Sequence, residues 1–85
     1  MDIHDRLTGI FREVLMDDSI ELADGMSSDD IDGWDSFAHL NIILAVENAF
    51  NLTISDEEAP ELRNIGALVR FITGRLDTDG AGKSI

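Results

Sequence analysis

Three segments of the chain place apolar residues at helical spacing, and each segment predicts a helix. The first helix is predicted over residues 2–16, with Asp2 and Asp5 near its N-terminus, where acidic side chains complement the helix dipole. Its apolar stripe comprises Ile3, Leu7, Ile10, Phe11, Val14 and Leu15. The second helix, residues 36–50, carries a wider stripe that is typical of a central helix with two neighbours. The third runs from about residue 64 to residue 76.

The segments between these helices carry cap and loop signals. A long polar connection, residues 17–35, is predicted to be held to the core by its few apolar side chains. These anchors are Leu22, Met26 and Ile31. Asn51 predicts the end of the second helix, because Asn tolerates the left-handed conformation that ends helices. Ser55 and Glu58 form a capping-box pattern that predicts a further helix start, but Pro60 restricts that helix to a turn or two.

Together these features predict an all-α fold, a four-helix bundle with a long loop between helices 1 and 2 and a short third helix. The folded domain is predicted to span residues 1–76. Residues 77–85 are polar and contain glycine, which predicts a flexible C-terminal tail. Several apolar side chains of the second and last helices are predicted to fill the core. They are Phe37, Leu44, Val46, Phe50, Leu68 and Ile72.

The chain carries a strong negative charge. Six Lys and Arg residues against eighteen Asp and Glu residues give a net charge of −12, and no Lys or Arg occurs between Arg12 and Arg63. Such a surface repels nucleic-acid phosphates, so DNA and RNA are not expected partners, whereas basic protein surfaces are attracted. Repulsion between copies of so charged a small domain favours a monomer.

Composition also limits the chemistry and location of the protein. The chain has no cysteine, so neither disulfides nor thiolate metal sites are available. No apolar run approaches the ~20 residues that span a bilayer, so a cytoplasmic protein without a membrane partner is expected. His4 and His39 are isolated and are predicted to be exposed helix residues. The acidic loop lacks the spacing of a calcium-binding EF-hand, and the chain lacks Gly-x-Ser-x-Gly, so neither a metal site nor enzymatic activity is expected.

Gly33-Trp34-Asp35-Ser36-Phe37 lies where the long loop enters the second helix. Asp and Ser are both preferred N-cap residues, so this pattern by itself predicts a helix start. If Asp35 is the cap, however, Ser36 occupies the first helical position with its hydroxyl free. An anion attached there would meet unpaired backbone N–H groups and the positive end of the helix dipole. Trp34 is predicted to anchor the loop to the core.

The segment 33–37 resembles the Gly-x-Asp-Ser-Leu signature of the acyl carrier protein family. The resemblance extends through residues 35–54, 56–59 and 65–72, which look like that family's second, third and fourth helices. It implies that Ser36 accepts 4′-phosphopantetheine from coenzyme A, transferred by a separate phosphopantetheinyl transferase, with Asp35 as cap and part of the motif. The thiol of that arm would then hold an acyl or aminoacyl group as a thioester.

The resemblance also implies a surface for partner enzymes on the second helix and its flanking loops. The candidate recognition residues are Phe37, Glu47, Asp56, Glu57 and Glu58. Loading and processing enzymes with basic docking surfaces are the expected partners. Typical fatty-acid carriers have acids where this chain has Ala38 and Asn41, so a pathway dedicated to secondary-metabolite or modified-acyl assembly is favoured.

Four alternatives remain open at the level of sequence. The chain is compatible with a general fatty-acid-synthesis carrier, and also with an unmodified, carrier-like acidic module that only binds partners. His39 lies one turn after Ser36, a position that would allow it to contact the arm or a partner. Finally, the helices of so small a domain could open to shelter a short acyl chain in place of a permanently filled core.

Overall fold

The computed structural model describes residues 3–83, with the side chains of residues 3–76. Its helices are α1 (Ile3–Val14), α2 (Ser36–Phe50) and α3 (Ile65–Lys83), and a 3₁₀ turn (Ala59–Leu62) lies between α2 and α3. Residues 3–83 form no strand, so this part of the chain has the all-α class that was predicted. The predicted count of four helices is not confirmed, because the third element is a four-residue 3₁₀ turn containing Pro60.

The boundaries of the helices follow local signals in the sequence. α2 has the predicted limits, and Asn51 ends it in the left-handed conformation with φ 55° and ψ 54°. Asn64 caps α3, since its Oδ1 accepts a 2.7 Å hydrogen bond from the backbone N–H of Ala67. α3 continues to Lys83, past the predicted end at residue 76. Residues 1, 2, 84 and 85 lie outside the described part, and the flexibility of the tail stays a prediction.

The core lies where the apolar faces of α1, α2 and α3 meet. The most deeply buried side chains, each fully shielded from solvent, come from all three helices. They are Leu7, Phe11, Ile42, Val46, Ile65, Leu68 and Ile72. Burial of each such side chain is favourable by about 1.5–3 kcal/mol, so together these side chains make a large contribution to holding the three helices against one another. None of the helices in the described range combines the length and apolar character needed to cross a bilayer.

The long loop between α1 and α2 is anchored at several points. Leu22, Ile31 and Trp34 are buried, and Met26 is partly buried against the core, so the predicted anchors are confirmed. The Nε of Arg12 donates a 2.8 Å hydrogen bond to the carbonyl of Ile20, which ties the loop back to α1. The path of the loop toward Ser36 is therefore fixed by packing and hydrogen bonding.

Backbone hydrogen bonds also join this loop to the start of α3. The Ser28 N–H donates to the carbonyl of Arg63, and the Ile65 N–H donates to the carbonyl of Met26, both at 2.9 Å. The Gly66 N–H donates to the carbonyl of Asp24 at 3.0 Å. A Cβ at Gly66 would lie only 3.0 Å from that same oxygen, so glycine permits the close approach.

Candidate functional site

Ser36 is the first residue of α2, and its side chain is exposed. Asp35 caps the helix as predicted, because its Oδ1 accepts a 2.8 Å hydrogen bond from the backbone N–H of Ala38. The first N–H groups of a helix lack intrahelical partners and carry the positive end of the helix dipole. The Ser36 hydroxyl is thus accessible, and an anionic group bonded to it would be electrostatically favoured.

Trp34 supports this junction from beneath. Its ring is 3% exposed and meets the ring of Phe11 edge-on, with centroids 4.8 Å apart. Its indole Nε1 donates a 2.9 Å hydrogen bond to Nδ1 of His39. The loop residue before the Asp35–Ser36 pair is therefore bound to both α1 and α2, which confirms its predicted role as an anchor.

His39 is buried, at 5% exposure, so the prediction of an exposed histidine was wrong. Its Nε2 lies 2.7 Å from the carbonyl oxygen of Ala59 in the 3₁₀ turn. Because an indole N–H only donates, Nδ1 must accept from Trp34, and Nε2 must carry the proton that is donated to Ala59. The imidazole is consequently neutral in this arrangement and joins the loop, α2 and the 3₁₀ turn.

The surroundings of His39 disfavour its protonation. Burial lowers the pKa of His39 below its usual value, the hydrogen bond to Ala59 opposes that shift, and the nearby Arg63 cation adds to it. Protonation of the His39 ring would place the second proton on Nδ1, where it would face the indole N–H of Trp34 and remove the acceptor of that hydrogen bond. His39 shares the helical spacing of Ile42, Ile43 and Val46, and this spacing was the signal in the sequence that could have revealed its burial.

A groove lies beside Ser36, between α2 and the 3₁₀ turn. Its volume is about 350 Å³. The lining residues are Ser36, His39, Leu40, Asp56, Ala59, Pro60 and Arg63. Pockets that bind small molecules typically have volumes of ~300–1,000 Å³, so this groove lies at the small end of that range. Sequence reasoning identified Ser36 and Asp56 but did not bring Leu40, Pro60 or Arg63 to the same place.

The predicted recognition residues divide into two groups. Phe37 is 74% exposed, and Asp56 and Glu57 are also exposed. Glu47 instead accepts a 2.7 Å hydrogen bond from the backbone N–H of Ile54 through its Oε2. Of the predicted set, then, Phe37, Asp56 and Glu57 present free side chains, whereas Glu47 is engaged within the protein.

Glu58 is engaged within the protein as well. It accepts from the Ser55 N–H at 3.0 Å while its own N–H donates to the Ser55 hydroxyl at 3.2 Å, which confirms the reciprocal hydrogen bonds of the predicted capping box. The 3₁₀ turn nevertheless has Glu58, and not the predicted Ser55, at its N-cap. Its other carboxylate oxygen accepts a 2.8 Å hydrogen bond from Nη2 of Arg75. The hydrogen bonds from Ser55 are the main cause that lowers the pKa of Glu58.

α2 also exposes an apolar stripe, defined here as Phe37, Leu40 and Leu44. Their exposures are 74%, 59% and 57%, respectively. The prediction that Phe37 and Leu44 fill the core was wrong, because the core-facing side of α2 is formed by Ile42, Val46 and their neighbours on that face. Periodicity gave α2 a wide apolar surface, but it did not distinguish the covered side from the open one.

The relation to known proteins is consistent with this geometry. Residues 5–72 match the family described as a phosphopantetheine attachment site. The chain is 31% identical over 75 residues to an acyl carrier protein of Phenylobacterium zucineum, an alignment that covers 88% of this chain and 95% of that protein. The chain belongs to the acyl carrier protein family.

Further relatives and a solved structure agree with that assignment. An acyl carrier protein of Cyanidium caldarium is 32% identical over 56 residues, which cover 66% of this chain and 64% of that protein, a little under two thirds of its length. The solution NMR structure of holo acyl carrier protein from Geobacter metallireducens has a TM-score of 0.83 and 38% sequence identity. That similarity covers 93% of this chain and 91% of the other. Acyl carrier proteins are carriers and not enzymes, and their prosthetic group is a covalently attached 4′-phosphopantetheine.

The residues of this chain fit that prosthetic group. An exposed serine hydroxyl stands at a helix N-terminus, where a phosphodiester is favoured. The adjoining groove offers the apolar surfaces of Leu40, Ala59 and Pro60 to the methyl-bearing part of the arm. The Nε of Arg63 is buried without a hydrogen-bond partner in the described part of the protein, and the arm is rich in oxygen acceptors.

Proposed function

We propose that this protein carries acyl or aminoacyl intermediates as thioesters on a 4′-phosphopantetheine arm at Ser36. The observation that supports this site most strongly is the exposed Ser36 hydroxyl at the first position of α2, directly after the capping Asp35. The match to a phosphopantetheine attachment site includes this position within residues 5–72. A serine whose hydroxyl is buried or hydrogen-bonded within the protein would not serve as the attachment site, because the modifying enzyme must reach the hydroxyl oxygen.

The attachment chemistry is performed by a separate phosphopantetheinyl transferase. The Ser36 hydroxyl oxygen attacks the pyrophosphate of coenzyme A, an oxygen–phosphorus bond forms, and the bond to the nucleotide phosphate breaks. A base on the transferase takes the hydroxyl proton, and a magnesium ion there balances the charge of the leaving group. Asp35 holds the helix start in place, so that Ser36 is presented in one orientation. The attached arm supplies the thiol that forms the thioester.

Partner enzymes are proposed to dock on the exposed surface around Ser36. Phe37, Asp56 and Glu57 are available for contact, and the acidic surface attracts basic docking surfaces over several ångströms of solvent. Loading and processing enzymes, together with the transferase, are therefore the proposed partners. The proposed organisation is a carrier domain at residues 1–76 with residues 77–85 as a flexible tail, acting as a monomer in the cytoplasm.

The proposed pathway is a dedicated one, in secondary-metabolite or modified-acyl assembly. α2 carries Ala38 and Asn41 where typical fatty-acid carriers have acids, and its one acid, Glu47, is engaged with Ile54. Docking would then rely on the apolar stripe more than on salt bridges from α2. Release of the thioester-bound group from protein isolated in its native host, followed by mass spectrometry, tests this. An ordinary straight-chain fatty acyl group would instead support the general fatty-acid-synthesis role.

The attachment itself is tested by intact mass. Wild-type protein, Ser36→Ala and Ser19→Ala are incubated with coenzyme A, magnesium and a broad-specificity phosphopantetheinyl transferase. Wild type and Ser19→Ala, a matched exposed serine in the loop, should each gain the mass of one phosphopantetheine. Ser36→Ala should gain nothing while remaining folded, because surface substitutions change the free energy of unfolding by only about 0.5 kcal/mol.

The opposite result has an equally clear meaning. If a folded and initially unmodified wild-type sample gains no mass with several different transferases, Ser36 is not an attachment site. The protein would then be an acidic, carrier-like module that binds partners without being modified.

A further inference from the structure

Arg63 lines the groove beside Ser36 and lacks an internal acceptor for one of its donors. Its Nε is buried, yet it makes no hydrogen bond to any described residue. Among the described side chains, Glu58 and Arg75 form a salt bridge and His4 lies 3.8 Å from Asp24, and neither contact involves Arg63. A buried donor without a partner costs about 1–3 kcal/mol, and more when it belongs to a charged group.

The position of Arg63 is nevertheless fixed by the fold. Its carbonyl accepts a 2.9 Å hydrogen bond from the Ser28 N–H of the long loop, and α3 begins two residues later at Ile65. This hydrogen bond fixes the backbone at Arg63, whose side chain lines the groove although its Nε gains no acceptor there. A buried donor without an internal acceptor calls for an explanation, and an acceptor supplied from outside the chain is one such explanation.

Charge supports the same conclusion. Among the residues that line the groove, Arg63 supplies the only fixed positive charge, because His39 is neutral when it bonds to both Trp34 and Ala59. Asp56 lies on the same groove, but no ion pair joins it to Arg63 in the described structure. In a chain of net charge −12, a cation without a carboxylate partner beside a proposed phosphodiester is well placed to bind that anion or the carbonyl oxygens that follow it.

We propose that Arg63 binds the 4′-phosphopantetheine arm in this groove. Its guanidinium donates hydrogen bonds to oxygen atoms of the arm, while Leu40, Ala59 and Pro60 pack against the apolar part. The groove then holds the arm against the protein until a partner enzyme withdraws it. This inference rests on the proposed attachment at Ser36, and the experiment below separates failure of the two.

The experiment compares unmodified and modified forms of the wild type, Arg63→Lys, Arg63→Gln and Arg70→Gln. Arg70 is an exposed arginine of the neighbouring helix α3 and serves as the matched control. Intact mass first establishes that each protein carries one arm. Nitrogen-15 NMR then follows the Arg63 Nε–H signal and the backbone amides of Leu40 and Ala59 in both forms.

In the wild type, modification should shift the Arg63 Nε–H signal and slow its exchange with solvent. Nuclear Overhauser contacts should join the methyl groups of the arm to Leu40 or Pro60. Arg63→Gln should reduce the shifts that modification causes at Leu40 and Ala59 by half or more, whereas Arg70→Gln should leave them as in the wild type. Arg63→Lys should retain an intermediate effect, because it keeps the charge but loses the planar donors.

Two spectroscopic results would overturn the proposal. A modified wild type whose Arg63 Nε–H signal equals that of the unmodified form would show that the arm does not use this donor. If modification shifts the backbone amides of Leu40 and Ala59 equally in the wild type and in Arg63→Gln, the arm does not depend on Arg63. This comparison does not need the Nε–H signal to be observed. A wild type that gains no mass would overturn the attachment at Ser36, and this inference with it, before any spectrum is compared.

Discussion

The neutral state of His39 is defined by its two neighbours. Nδ1 accepts from the indole of Trp34, and Nε2 donates to the carbonyl of Ala59, so each ring nitrogen has one role. Neither contact can be exchanged for water without opening the junction between the loop, α2 and the 3₁₀ turn. The residue that the sequence suggested as a surface histidine is therefore a structural link.

Acidification should destabilise the protein through His39. The pKa of His39 is lower in the folded chain than its unfolded value near 6.5, so between these two values the unfolded chain binds more protons. The contribution of His39 to the free energy of unfolding should be fully present above the unfolded pKa near 6.5 and should be lost as the pH falls from there through the lowered folded pKa. Urea denaturation, followed by circular dichroism over this range, measures the effect.

Substitution separates His39 from the other titrating groups. His39→Gln should lower the free energy of unfolding by about 1–3 kcal/mol at neutral pH, because the buried polar groups of Trp34 and Ala59 are left without good hydrogen bonds. The free energy of unfolding of this variant should also depend less on pH than that of the wild type. An unchanged slope in His39→Gln would assign the pH dependence to other groups.

At the scale of elements, α2 is apolar on two sides for different reasons. One side packs into the core through residues such as Ile42, whereas the other carries the open apolar stripe that includes Leu44. The overall apolar composition of α2 does not distinguish the buried side from the exposed side. Only its packing against the rest of the fold decides which side is buried.

Two matched alanine substitutions should reveal the difference. Ile42→Ala should lower the free energy of unfolding by about 2–5 kcal/mol, because Ile42 is fully buried and a cavity would remain. Leu44→Ala, at a residue that is 57% exposed, should change it by no more than about 0.5 kcal/mol. Urea denaturation of both variants decides the matter, and equal losses would mean that the stripe is covered in solution.

The same distinction explains which features the sequence could predict. The limits of α2, the Asp35 cap, the left-handed Asn51 and the capping box at Ser55 all depend on neighbours within four residues, and all were predicted. Helical spacing places His39 on the buried face of α2, but its hydrogen bond to Ala59 depends on the approach of a turn 20 residues away, which no local pattern reveals.

The candidate site shows the same limit. Ser36 was recognised from five consecutive residues, whereas the groove beside it forms only when the 3₁₀ turn packs near α2. Arg63 joins the groove because the long loop and the start of α3 are hydrogen-bonded to each other at that point. No spacing rule in the sequence brings Arg63 and Ser36 to one place.

At the scale of the whole molecule, several of the few cations are used in internal contacts. The guanidinium of Arg6 lies 5.3 Å from the centre of the Phe50 ring, and Arg12 bonds to the carbonyl of Ile20. Arg75 bonds to the carbonyl of Thr53 and to Glu58. Most of the acidic side chains are therefore left to face solvent and one another.

Salt should consequently stabilise the folded protein. Screening shortens the range of repulsion from about 30 Å at 0.01 M salt to about 3 Å at 1 M, so the free energy of unfolding should rise with sodium chloride. The urea midpoint measured across that range checks this, with an uncharged osmolyte at matched osmolality as the control. A midpoint that stays constant or falls would mean that self-repulsion is negligible.

The chain contains a single tryptophan, which lies where the long loop enters α2. Trp34 lies two residues before the candidate attachment serine, and its ring touches Phe11 and hydrogen-bonds to His39. Its fluorescence is therefore an intrinsic optical signal from one known location, free of overlap with any second indole. The emission wavelength and lifetime of Trp34 would change when the loop separates from α1. Protonation of His39 beside the indole ring would quench the Trp34 fluorescence. The protein thus contains its own label for following a docking partner in real time.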